Sequence, residues 1–86
     1  MRQATEIYSR EFDSVFLKLP PRVRELVEAK IHDLGSQLSD FPHHRLKGRS
    51  EYRLRAGDYR VIYEFDSAKN ILGLIAIGHR REVYRF

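Results

Sequence analysis

Apolar residues recur with a helical period in the first half of the chain and with a period of two in the second. Phe12, Val15, Phe16 and Leu19 stand at i, i+3, i+4 and i+7, one stripe of an amphipathic helix. Ser9 precedes the stripe and suits an N-cap, because a hydroxyl there accepts from an otherwise unpaired amide of the first turn. Pro20-Pro21 ends that helix. A proline also suits the start of the next, where its missing N–H would have had no partner. Val23, Leu26, Val27, Ile31, Leu34 and Leu38 then share one face of a second helix. The link is so short that the two helices form a hairpin. Residues 5–8, ahead of them, predict a short first strand.

The segment Asp40-Phe41-Pro42-His43-His44 breaks the periodicity and reads as a loop. Beyond it the alternation predicts strands over 51–56, 59–65 and 71–79, joined by Gly57-Asp58 and by a loop over 66–70. The expected fold class is α+β: a short N-terminal strand, a helical hairpin, then an antiparallel meander of three to four strands packed on the helices. With no repeat, linker or low-complexity tract, residues 1–86 read as a single domain.

The register of the meander can be drawn from the turns. A two-residue Gly57-Asp58 turn of type II′ sets Ala56 opposite Tyr59, Arg55 opposite Arg60, Leu54 opposite Val61 and Arg53 opposite Ile62. A five-residue second loop sets Phe65 opposite Ile71, Ile62 opposite Leu74 and Arg60 opposite Ala76. One face then carries Tyr52, Leu54, Ala56, Tyr59, Val61, Tyr63, Phe65, Ile71, Ile75 and Ile77, and should pack on the helices. The other gathers Arg53, Arg55, Arg60 and Arg80 with Glu64, around Ile62, Leu72, Leu74, Ala76 and Gly78. Like charges directly opposite each other destabilise a strand pair, so Arg55 facing Arg60 is a poor arrangement for stability alone. It makes sense if the cluster awaits phosphate, which guanidinium binds bidentately.

Charge follows the same division. Residues 1–44 hold six Lys/Arg and seven Asp/Glu, a net of −1, and residues 45–86 hold ten and five, a net of +5. A basic second half points to an anionic partner. Cysteine is absent, which leaves no disulfide framework and no thiolate metal site and suits a reducing compartment. The first residues have no apolar run of the signal-peptide kind, and the strongly apolar stretch over 71–77 is too short to cross a bilayer. A soluble cytoplasmic protein is expected, with no membrane association.

Four stretches carry a resemblance to a known family: Leu46-Lys47-Gly48, Tyr52-Arg53-Leu54-Arg55, Gly57-Asp58-Tyr59-Arg60-Val61-Ile62-Tyr63, and Gly78-His79-Arg80-Arg81-Glu82-Val83-Tyr84. They resemble the RelE/ParE toxin superfamily of type II toxin–antitoxin systems, and the predicted element order agrees over essentially the whole chain. The resemblance to the RelE-like branch implies a ribosome-dependent endoribonuclease that cleaves mRNA in the ribosomal A site. There the 2′-hydroxyl attacks the adjacent phosphate, leaving a cyclic phosphate and a 5′-hydroxyl. It implies that Arg60 stabilises the charge on the scissile phosphate, that Arg80 serves the phosphate and leaving oxygen, and that Tyr84 stacks on or orients the nucleotide. Arg53 and Arg55 fall where basic residues assist activation of the 2′-hydroxyl, and Lys47, Arg49 and Arg81 join them as RNA- or phosphate-binding groups.

No metal or other cofactor is expected. The implied partners are a cognate antitoxin on a separate chain, the ribosome and its mRNA, with operator DNA reached only through the antitoxin complex. The alternative within the superfamily is a ParE-like toxin that inhibits DNA gyrase without cutting RNA.

No single residue is expected to be an efficient general base, and the arginine cluster is expected to activate the 2′-hydroxyl by charge alone. Arginine remains protonated in proteins, so Arg53 and Arg55 act by charge alone. Lys47 is one alternative and a histidine is another. Alternation points His79 toward the helices, in a core or edge role, and His43 and His44 read as solvated loop residues.

Overall fold

The structure is a computed structural model and describes residues 2–83. In chain order it contains β1 (Thr5–Tyr8), α1 (Arg10–Phe16), α2 (Pro21–Ser36), β2 (His44–Arg45), β3 (Tyr52–Ala56), β4 (Tyr59–Asp66) and β5 (Ile71–His79). The strands form one mixed sheet in the order β1-β5-β4-β3-β2. The last four are antiparallel, and β1 joins β5 in parallel, with Thr5 beside Ile71 and Tyr8 beside Leu74. The α+β architecture is the expected one: the meander has four strands, β2 to β5, and the expected N-terminal strand joins it to give a mixed five-stranded sheet.

The local signals act as the sequence suggests. Ser9 caps α1, its hydroxyl accepting from the Phe12 amide at 3.0 Å. The helix stops at Phe16, short of Leu19. A tight turn follows, in which the Lys18 and Leu19 amides donate to the Val15 and Phe16 carbonyls. Pro21 opens α2 directly afterwards. On α2, Val27, Ile31 and Leu34 are buried, as is Leu38 just beyond its end, but Leu26 is 40% exposed. The apolar stripe is therefore narrower than the periodicity implies.

Both helices lie on one face of the sheet. Phe12, Val27, Ile31, Leu34 and Leu38 meet Leu54, Ala56, Val61, Tyr63, Leu72, Leu74 and Ile77 in the main core. Two of these, Leu72 and Leu74, were expected on the opposite face. The reason is a β-bulge. Tyr63 pairs with Leu74 while Ile62 pairs with Ala76, so Ile75 is an extra residue in β5. Residues before the bulge and residues after it thus follow opposite alternations. Leu72 and Leu74 turn to the helices with Ile77, while Ile75 packs against Ile62 and Ala76 on the far face.

The β3–β4 register is the expected one at all four drawn pairs. Gly57 has φ +62° and no positive φ occurs at Asp58, as a II′ turn requires. The β4–β5 register differs from the drawn one. Phe65 pairs with Leu72, and beyond the bulge Arg60 pairs with Gly78 instead of Ala76. A shift of two residues preserves the face, so Ala76 and Gly78 still lie on the side of Arg53, Arg55 and Arg60.

Candidate functional site

The sheet face away from the helices is not a bare basic surface. Ile62 and Ala76 in its centre are buried, covered by Leu46 from the segment after β2 and by Val83 from the segment after β5. Gly78 permits this, because a Cβ there would come within 3.3 Å of Val83 Cβ. A second, small apolar cluster therefore closes the middle of the face, and the cations are arranged around it.

Three groups of cations result. The first, at the β3–β4 hairpin, holds Arg60, Arg80 and Arg81; Arg60 pairs across the strands with Arg55, and the Arg80 amide donates to the Asp58 carbonyl at 2.8 Å. Arg60 is only 8% exposed, and its Nη1 donates to the carbonyls of Gly57 and Tyr59 at 2.8 and 2.9 Å. The guanidinium is thus turned onto the hairpin turn, which relieves the direct opposition to Arg55. Its other nitrogens make no hydrogen bond among the described residues. Arg80 and Arg81 are exposed in the turn after β5, where the Arg81 amide donates to His79 Nδ1 at 3.3 Å.

Arg53 and Arg55 form the second group. Both are exposed on β3 and make no ion pair or hydrogen bond among the described residues. Lys47 and Arg49 form the third, on the 46–50 turn at the far end of β3. They line a cavity of about 500 Å³ together with Arg45 and Ser50. Gly48 at φ +74° lets this turn close, and the Leu46 amide donates to the Glu51 carbonyl at 2.9 Å. Arg49 Nε bonds Glu51 Oε1 at 3.2 Å, so part of this charge is neutralised. The three groups run as a band across the sheet, from the hairpin to the 46–50 turn. Tyr84, assigned to base stacking by resemblance, lies outside the described residues.

The two histidines read as loop residues are separated by the structure. His43 is half-buried on the helix side. Its ring stacks on Phe65 at 3.9 Å between centroids, and Tyr52 meets it edge-on. Nε2 lies 2.8 Å from the Leu38 carbonyl, which only accepts, so in the neutral ring the hydrogen sits on Nε2. The Tyr63 hydroxyl then donates to Nδ1 at 2.6 Å. The tautomer follows from this network. Burial pushes the Tyr63 hydroxyl far above the ordinary tyrosine pKa, with the neighbouring Tyr52 phenol adding a smaller push.

His44 sits on β2, exposed on the opposite side of the sheet, and pairs directly with Arg53. It lines a cavity of about 320 Å³ with Arg53 and Arg55. The signal for β2 was Gly48. A glycine-containing turn between His44-Arg45 and Tyr52-Arg53 closes a hairpin, but a two-residue strand has too little alternation to announce itself. His79 is half-buried at the end of β5, with its ring against Tyr59 at 5.8 Å.

By its family model the chain is a toxin of the type II toxin–antitoxin class. The chain belongs to the ParE toxin family of these systems, whose family model matches residues 1–84. It is similar in fold to RelE-type toxins of known structure. The RelBE2 toxin–antitoxin complex of Mycobacterium tuberculosis contains a chain that aligns with a TM-score of 0.76 at 22% identity, over 95% of this chain and 97% of that one. The RelE–RelB complex of Pyrococcus horikoshii aligns with a TM-score of 0.75 at 20% identity, covering 94% and 99%. The isolated Escherichia coli RelE toxin aligns with a TM-score of 0.72 at 22% identity, covering 88% and 83%. No match to a curated protein sequence was found. Among the described residues no helix is long and apolar enough to cross a membrane.

Proposed function

We propose that this toxin is a ribosome-dependent endoribonuclease that cleaves mRNA in the ribosomal A site. The observation that carries the reading is the cationic band on one sheet face. Arg53 and Arg55 are exposed and unpaired among the described residues, beside Arg60 and Arg80 at the β3–β4 hairpin. Phosphoryl transfer depends mainly on positioning and on charge already in place where the transition state needs it. In this reading the 2′-oxygen attacks the adjacent phosphorus and the 5′-oxygen leaves. Arg60 offers its remaining guanidinium nitrogens to the phosphoryl oxygens, with the turn carbonyls holding it in place. Arg80 stabilises the leaving oxygen, and Arg53 and Arg55 draw the phosphate in and favour the 2′-oxyanion. Lys47, Arg49 and Arg81 engage flanking phosphates. Tyr84 stacks on the nucleotide, a contact worth about 1–3 kcal/mol per base in single-stranded complexes.

The partners in this reading are the ribosome with its mRNA and a cognate antitoxin on a separate chain, in the cytoplasm, with operator DNA reached through the antitoxin complex. Support for the antitoxin comes from the similar toxins crystallised with RelB chains. The match to a ParE family model favours a second reading, inhibition of DNA gyrase without RNA cleavage.

Induced expression followed by mapping of mRNA 5′ ends separates the two. In-frame cuts within translated regions are expected. A DNA-damage response without such cuts would replace the first reading by the second.

A further inference from the structure

Activation of a 2′-hydroxyl near neutral pH calls for a proton acceptor, and the residues that flank the site by resemblance are arginines, which cannot accept a proton. The described structure puts a different side chain beside them. We infer that His44 is the general base of the cleavage reaction, an inference that rests on the nuclease reading.

Three observations carry it. The first is register. His44 lies directly opposite Arg53 in the β2–β3 pair, so its ring shares the face of Arg53, Arg55 and Arg60, whereas its neighbour His43 faces the helices. The second is the surface cavity of about 320 Å³ that His44 lines together with Arg53 and Arg55. The third is the contrast between the two histidines. Both ring nitrogens of His43 are engaged, by Tyr63 and by the Leu38 carbonyl. His44 is exposed, and its ring nitrogens make no hydrogen bond or ion pair among the described residues. His43 is built into the core, and His44 is left free at the edge of the basic face.

The step is a proton transfer coupled to displacement. His44 takes the 2′-hydroxyl proton while the 2′-oxygen bonds to phosphorus. The P–O5′ bond breaks, and the 5′-oxygen leaves with the bonding pair and takes a proton from water. The imidazolium then returns its proton to solvent. Arg53 and Arg55 on β3 hold the phosphate against the ring. Arg45 points away from the face on β2, where it lies 6.0 Å over the Tyr52 ring. Lys30 and Asp33 of α2 are the charged groups of the adjoining cavity that His44 also lines.

The test is single-turnover cleavage of mRNA on programmed ribosomes by the full chain, for the parent, His44→Gln and His44→Gly across pH 5.5–8.5. Binding to ribosomes carrying a 2′-deoxy mRNA at the scissile position is measured in parallel. The parent rate should rise with pH and then level off, the profile of a histidine base. His44→Gln should be slower by about 10²–10⁴-fold, with that limb lost and binding nearly unchanged. Added imidazole should restore part of the rate of His44→Gly.

If the parent makes no cut, the nuclease reading falls and this inference falls with it. If the parent cuts and His44→Gln cuts equally well, the inference alone is overturned. A loss that is uniform across pH, or that imidazole does not relieve, overturns the base role as well.

Discussion

The Ser9 hydroxyl donates to the Ile75 carbonyl at 2.5 Å while accepting from the Phe12 amide at 3.0 Å, so one side chain joins the start of α1 to the bulge of β5. The bulge makes the two faces of β5 compatible. Leu72, Leu74 and Ile77 all reach the main core, and Ala76 and Gly78 still lie beside Arg60 on the other side. Ser9→Ala removes both bonds. It should cost about 1–2 kcal/mol, the upper part of the range for a lost N-cap. At about 4–8 °C per kcal/mol for a domain of this size, melting should shift visibly. An unchanged melting temperature would show that water replaces both contacts.

Arg60 has a structural duty beside the catalytic one proposed for it. Its Nη1 holds the Gly57 and Tyr59 carbonyls. Arg60→Ala should abolish growth arrest and also destabilise the fold by about 1–3 kcal/mol, because two hydrogen bonds from a charged donor are lost. Denaturant unfolding alongside the toxicity assay checks this. Full growth arrest by the variant at equal protein level would refute the catalytic assignment.

Arg55 should behave in the opposite sense. It is exposed, makes no ion pair among the described residues and sits across from Arg60. Arg55→Ala should leave stability nearly unchanged, because the Arg60 guanidinium is already turned onto the hairpin turn and away from it. Cleavage and growth arrest should weaken. A clear fall in melting temperature would assign Arg55 a structural role.

His43→Ala strips the buried Tyr63 hydroxyl of its acceptor and removes a ring stacked on Phe65. Leaving such a group unpaired costs about 1–3 kcal/mol. The loss should appear in unfolding experiments, in contrast to His44→Gln, which alters an exposed side chain. Equal stability of the two variants would contradict the different settings of the two histidines.

Tyr63 also gives the fold a limit at high pH. Burial raises its pKa in the folded state, while the unfolded chain ionises near the ordinary tyrosine value of about 10. Above that value the unfolded state binds fewer protons than the folded one, so stability falls as pH rises. The contribution is fully present below about pH 10 and is lost progressively above it. Tyr63→Phe should lower stability near neutral pH and flatten the decline above pH 10, as read by denaturant midpoints from pH 8 to 11.

Much of the fold was legible from local chemistry. The stripe from Phe12 to Leu19, Ser9 as its cap and Pro20-Pro21 as a break are short-range signals, and the helices follow them. Gly57-Asp58 determined the β3–β4 register, because a two-residue turn leaves one way to pair the strands. That register set Arg55 beside Arg60, and the alternation put Arg53 and Arg55 on the face away from the helices. The family, too, could be read from four short motifs.

The course of β5 could not be read in the same way. A bulge has no periodicity of its own, and an unbroken run of Ile, Leu, Gly and Ala fits either alternation. Only the packing of Leu72 and Leu74 under α1 and α2, with Ser9 bonded to the Ile75 carbonyl, selects where the extra residue falls. The same holds for β2, whose two residues become a strand by pairing with β3. That pairing turns His44 toward Arg53 and leaves His43 inside the aromatic cluster, a distinction between neighbours that their sequence context alone does not contain. Local sequence determined the helices, the longer strands and the charge of the face. Tertiary packing decided which residues of β5 reach the core and which of the two histidines stands beside the arginines.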